Sequence, residues 1–154
     1  MYFEEKPRVR NFMSEKQLSR NVVRSFPGKI TRIENRAQTG TPDLNYLVRK
    51  NSHAGWIELK IGKVTSKGNL TFSRFTQSQV VWLADYARHG GNAFLLTRVH
   101  FHNNEPSIYT LHHGSQYKLL NKAKCGTVMA DQFIDEAVWS GTKLDVAEIA
   151  HQYL

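Results

Sequence analysis

The chain holds one cysteine, Cys125, and no apolar run that approaches the roughly 20 residues of a membrane-spanning helix. A lone cysteine excludes an internal disulfide and a multi-cysteine zinc site. The N-terminal run Met1-Tyr2-Phe3-Glu4-Glu5-Lys6 lacks the pattern of a signal peptide, so the chain reads as cytosolic. Internal repeats and low-complexity tracts are also missing. Acidic side chains are scarce: 13 Asp and Glu stand against 21 Lys and Arg, a net charge of +8. With 40% apolar residues and 11% aromatic ones in 154 positions, disorder is disfavoured and a single domain with its own core is expected.

An excess of positive charge favours a polyanionic partner, and its distribution sharpens that expectation. Arg8, Arg10, Lys16, Arg20, Arg24, Lys29, Arg32 and Arg36 concentrate in the first quarter of the chain. A second group, Arg49, Lys50, Lys60, Lys63, Lys67 and Arg74, brackets one apolar strand pattern. We expect Arg20, Arg24, Arg36, Lys63, Lys67 and Arg74 to contact phosphates.

Periodicity gives the coarse organisation. Residues 1–13 read as an arm. Ser14 is an N-cap candidate ahead of Leu18, Val22, Val23 and Phe26 at helical spacing, and Pro27-Gly28 ends that helix. Strands are expected at Ile30–Glu34, Asp43–Arg49 and Gly55–Ile61, with a turn-rich linker over 37–42 and a polar hairpin loop over 50–54. Residues 62–75 read as a Gly-, Ser- and Lys-rich loop. Thr76 caps a helix over Gln77–His89 that Gly90-Gly91 stops. Ala93–Val99, with Phe94-Leu95-Leu96 at its centre, reads as a strand buried on both faces. Ser107–Leu111 is a last strand, and Asp131–Trp139 and Lys143–Tyr153 read as two C-terminal helices. The order helix, three strands, helix, strand implies an α/β domain with a mixed sheet.

The residues that carry chemistry lie in Gly40-Thr41-Pro42-Asp43 and Gly55-Trp56-Ile57-Glu58-Leu59-Lys60. Alternation along a strand puts Glu58 and Lys60 on one face, with Ile57, Leu59 and Ile61 toward the core. A hairpin joining the two segments brings Asp43 beside Glu58, so that two carboxylates can reach one hard divalent cation, and the Leu59 carbonyl can add a ligand. Taken alone, Asp43 after Pro42 is a turn residue, and Glu58 with Lys60 is a surface ion pair. Their joint placement is what points to a metal-dependent phosphodiesterase.

Those two segments resemble the motif of the PD-(D/E)XK nuclease superfamily. Phe75-Thr76-Gln77-Ser78-Gln79-Val80-Val81-Trp82-Leu83 is similar to the helix that follows it in the VRR-NUC, Holliday junction resolvase-like branch, and Gly90–Leu96 to the next strand of that branch. The resemblance covers residues 14–99. It implies a restriction-endonuclease-like core with a mixed central sheet flanked by helices; residues 100–154, with the two expected C-terminal helices, have no counterpart in the family and are open to a dimer interface, a DNA contact or a cap on the sheet. It also implies a Mg²⁺-dependent DNA endonuclease in which Mn²⁺ substitutes, often dimeric and in some members directed at branched DNA. By the same resemblance Asp43 and Glu58 are metal ligands, Lys60 is the catalytic lysine, and Gln79 stands beside the active site, with Gln77 the alternative in another helix register. The superfamily often adds a glutamate from the first helix, here Glu15, which lies on the apolar stripe of its helix. A first-turn acid favoured by the helix dipole explains Glu15 equally well, and Glu34 is a further candidate for the extra acid.

Nothing in the chain reads as a base-reading helix, so structure-selective cutting of branched or duplex DNA is expected over sequence-specific cutting. A short single domain of this kind would suit a phage or mobile-element enzyme. His100, His102, His112 and His113 lack the spacing of a histidine-metal site and read as surface or core residues; Cys125 reads as a small buried residue.

Overall fold

The computed structural model describes residues 13–34, 38–103 and 105–154. The expected N-terminal arm, apart from Met13, lies outside the described residues, as does Arg36.

Two capping boxes set the main helices. In α1 (Glu15–Ser25) the Ser14 Oγ accepts the Gln17 amide and the Gln17 side chain accepts the Ser14 amide. In α2 (Gln77–Arg88) Thr76 and Gln79 do the same. Between and after them run β1 (Gly28–Arg32), β2 (Leu44–Val48), β3 (Ala54–Val64), β4 (Leu70–Phe72), β5 (Asn92–His100) and β6 (Ile108–His113). Then follow α3 (Tyr117–Lys124), α4 (Ala130–Asp135), β7 (Trp139–Gly141) and α5 (Val146–Gln152).

Among the described residues this is an α/β fold with a mixed, open seven-stranded sheet flanked by helices. Strand order is β1-β2-β3-β5-β6-β7, with β4 on β3. β3 and β5 are parallel and joined across α2; the other pairs are antiparallel. Alternation along β5 sorts the core into two halves. Phe94 and Leu96 pack with Leu18 and Val22 of α1 and with Ile149 and Ala150 of α5. Ala93, Leu95 and Val99 pack with Val80 and Leu83 of α2, with α3, and with Phe133 of α4. The two-sided burial expected for this strand is therefore present. Residues 100–154 add two strands to the sheet and helices to both of its faces.

Three expectations need correction. Residues 62–75 are not one loop: β3 continues to Val64 and turns back as β4, so that Gly62 pairs with Phe72. The helix expected over Asp131–Trp139 ends at Asp135, because Trp139 pairs with Leu111 and joins the sheet as β7. Cys125 is exposed, since α3 turns Leu119, Leu120 and Ala123 inward and leaves its C-cap at the surface. Among the described residues no helix is long and apolar enough to cross a membrane.

His112 is a core histidine. Its Nε2 lies 2.8 Å from the Phe133 carbonyl, which makes Nε2 the protonated nitrogen, and its Nδ1 has no partner among the described residues. Burial pushes its pKa down to about 4, against the opposing pull of the Phe133 carbonyl. A depressed histidine pKa means that the unfolded chain binds the proton more tightly, so stability is full above about 6.5 and falls as pH drops toward 4. We expect His112→Gln, which keeps a donor for Phe133, to lose about 2 kcal/mol less stability than the wild type between pH 7 and pH 4.5. Urea midpoints at the two pH values measure this; equal losses would refute it.

Candidate active site

The site forms where the ladder on one edge of β3 is interrupted. That edge pairs with β2 through Ala54–Ile57 and with β4 through Gly62–Val64, leaving residues 58–61 without a strand neighbour there among the described residues. Asp43, one residue before β2, fills part of the gap: its Oδ2 accepts the Leu59 amide at 2.9 Å. The N–H and C=O of one strand residue point to the same edge, so the Leu59 carbonyl also projects into the gap. The Asp43 backbone is pinned as well, its carbonyl accepting the Ile33 amide at 2.9 Å. Gly40, at φ +85°, brings this segment against the first turn of α2, where a Cβ would lie 2.4 Å from the Ser78 carbonyl.

Glu58 and Lys60 share the β3 face that packs on α2, and because both faces of the sheet are covered they are 1% and 3% exposed. Each is held by named partners. Gln79 Nε2 donates to Glu58 Oε1 at 3.1 Å. The Gln79 Oε1 is already committed to the Thr76 amide in the capping box, so only the amide nitrogen is left to face Glu58. Lys60 Nζ donates to the Arg74 carbonyl at 3.0 Å and lies 3.5 Å from Glu58 Oε1 and 3.8 Å from Glu15 Oε1. Glu58 Oε2 is buried without a hydrogen-bond partner among the described residues.

Burial pushes the Glu58 carboxyl up to about 9; the Asp43 charge adds to the shift, and Lys60 opposes it. Glu15 is also raised, first by burial, with Lys60 pulling the other way. Beside the gap opens a cleft of about 410 Å³ lined by Glu15, Lys16, Ser19, Arg32, Glu34 and Asp43, together with Ile33 and Leu59.

The sequence-predicted residues thus divide. Asp43, Glu58, Lys60, Gln79 and Glu15 converge. Glu34 lines the cleft, but Glu15 is the acid that reaches Lys60. Gln77 turns away toward the Tyr117 hydroxyl, 3.4 Å distant, which fixes the helix register in favour of Gln79. Arg20 and Arg24 are exposed on α1, and Lys63 and Lys67 on the β3–β4 hairpin. Arg74 contributes its carbonyl to Lys60 and adopts φ +61°, a strained conformation that aims this carbonyl. No sequence signal announces that backbone role. Ser19, whose buried hydroxyl lacks a partner among the described residues, was also missed; its position one helical turn after Glu15 was the available clue. Among the described residues no group of three or more His, Cys, Asp and Glu side chains is arranged to hold a metal ion. Comparison with known protein families gives no match, and none is found among curated proteins.

Proposed function

We propose that this chain is a divalent-metal-dependent DNA endonuclease with a restriction-endonuclease-like core, structure-selective for branched DNA in the manner of a Holliday junction resolvase. The observation that carries the reading is the convergence of Asp43, Glu58 and Lys60 at the ladder gap, with Glu58 Oε2 buried and without a partner among the described residues. A carboxylate in that position is costly unless a cation meets it. The donor set fits Mg²⁺ or Mn²⁺: two carboxylates and a backbone carbonyl are hard oxygen ligands, with Glu15 near enough to Lys60 to serve as an outer partner. Asp43, Glu58 and the Leu59 carbonyl would hold the ion, and its chemistry there is that of a Lewis acid that acidifies water and polarises the phosphoryl oxygens.

The protein's own groups do the rest. Lys60, fixed by the Arg74 carbonyl, offers an ammonium to the charge that builds on the phosphate. Gln79 holds Glu58 in one orientation through a helix cap. Basic residues on α1 and on the β3–β4 hairpin supply phosphate contacts. A homodimer would set two such sites against opposed strands of a four-way junction, and a cytosolic enzyme of phage or mobile-element origin would suit a nuclease domain of this kind.

Cleavage of a labelled four-way junction, a flap and a linear duplex, with and without Mg²⁺, tests the proposal. We expect metal-dependent cutting with the junction preferred. Equal cutting of all three substrates would remove the branch selectivity and leave a non-specific nuclease of the same fold. Tight binding with no cutting under any divalent metal would identify a catalytically silent DNA-binding module.

A further inference from the structure

Helix α1 separates two depressions. One flank lines the cleft beside Asp43 with Glu15, Lys16 and Ser19. The other lines a second groove of about 330 Å³ with Asn21, Arg24 and Ser25, facing Tyr109 of β6 and Thr142 and Lys143 ahead of α5. This second groove is polar, and among the described residues its lining carries the cations Arg24 and Lys143. The Asn21 Oδ1 accepts the Arg24 guanidinium at 3.4 Å. Arg98 stands opposite Tyr109 in the β5–β6 register, its guanidinium 5.4 Å from the ring centroid and its buried Nε without a partner among the described residues. The next acid along the chain, Asp145, is turned to α5, where its Oδ1 accepts the Glu148 amide at 3.0 Å.

Lys16, Arg20 and Arg24 link the two depressions. Spaced four apart and all exposed, they form one ridge. At 3.6 residues per turn each step of four advances about 40° around the helix, so the ridge crosses the solvent face obliquely, from the wall of the first cleft to the wall of the second. It spans about 12 Å of helix axis, on the order of three to four phosphates of one DNA strand.

We propose that the groove between α1 and α5 is a second site for the nucleic-acid phosphate backbone, and that Lys16, Arg20 and Arg24 carry one DNA strand to it from the catalytic cleft. The proposal rests on the nuclease reading and adds the path of the bound strand. In the groove Arg24 and Lys143 neutralise phosphate charge, while the Ser25 and Thr142 hydroxyls give neutral hydrogen bonds. Such contacts position a strand and read no sequence, in keeping with structure-selective cutting.

Fluorescence anisotropy of a labelled four-way junction and duplex, without divalent cation and from roughly 50 to 200 mM salt, tests the path. The variants are Arg20→Gln/Arg24→Gln/Lys143→Gln and, as a control on α3, Lys118→Gln/Lys122→Gln. For the triple variant we expect a plot of log affinity against log salt shallower by about 2 or more, and affinity at least about tenfold weaker at low salt. The control should match the wild type. A triple variant indistinguishable from wild type, or an equal loss in the control, would overturn the proposal. Wild-type cleavage is scored separately: binding that depends on the ridge without cleavage would sink the nuclease reading and leave the path standing. A wild type that binds no DNA would end both.

Discussion

Replacing Lys60 by alanine is expected to slow Mg²⁺-dependent DNA cleavage by about 10²–10³-fold while leaving DNA affinity within a few-fold of wild type. The affinity expectation follows from burial: at 3% exposure Lys60 adds little to the field that attracts DNA in solution. Its ammonium is fixed by the Arg74 carbonyl and flanked by Glu58 and Glu15, so its position is set before substrate arrives. A pre-oriented charge of that kind stabilises a transition state at no reorganisation cost. Alanine also leaves a cavity and removes the donor to the Arg74 carbonyl, so stability falls as well, and Lys60→Met, which keeps most of the volume, is the companion variant. Single-turnover cleavage of a junction, with thermal melting in parallel, separates the two effects. Undiminished cleavage in a folded Lys60→Met protein would refute the assignment of Lys60.

Cation binding is expected to strengthen by close to tenfold for each pH unit between pH 6 and pH 8, and Glu58→Gln is expected to abolish that dependence. The Glu58 carboxyl is pushed up to about 9, so without a cation it is protonated across this range. A ligating carboxylate must lose its proton, and one proton released per ion bound gives one decade of apparent affinity per pH unit. Mn²⁺ titrations at pH 6, 7 and 8 measure the slope; a flat response in the wild type would show that Glu58 is not a ligand. Stability without a cation should move oppositely. A folded-state pKa above the unfolded value near 4.5 means that the native protein holds the proton more tightly. Its contribution is therefore complete at low pH and is lost as pH rises toward 9, by at most about 1.4 kcal/mol per unit. Saturating Mn²⁺ should offset that loss.

The parts of the fold that were legible in the sequence are those built from local chemistry. Ser14 with Gln17 and Thr76 with Gln79 are complete capping boxes within four residues, and α1 and α2 begin where they indicate. Strands β1, β2, β3 and β5 carried their own apolar patterns. The elements that were missed depend on distant partners. β4 and β7 are three residues each and exist because β3 and β6 offer free edges. α3 lacks a side-chain N-cap, which removed its start signal although Leu119, Leu120 and Ala123 had helical spacing. At the site, spacing foretold that Asp43 would meet β3 beside Glu58. It did not foretell that α2 would bury Glu58 and Lys60, since alternation shows which residues share a face and not what covers it. The carbonyl of Arg74 was invisible for a plainer reason: every residue has one, and only tertiary structure aims it.

The interruption in the β3 ladder has a consequence for how this protein can change over time. Register in the β2–β3–β4 meander is set at Ala54–Ile57 and again at Gly62–Val64, on either side of the chemistry and independently of it. Glu58 and Lys60 still pair through β5, but on the edge facing β2 and β4 no strand among the described residues pairs with 58–61. Substitutions there alter packing and charge without shifting strand alignment, so side-chain chemistry is free to drift while the register stays fixed. A scaffold arranged in this way keeps its register while the side chains at these four positions change by single steps.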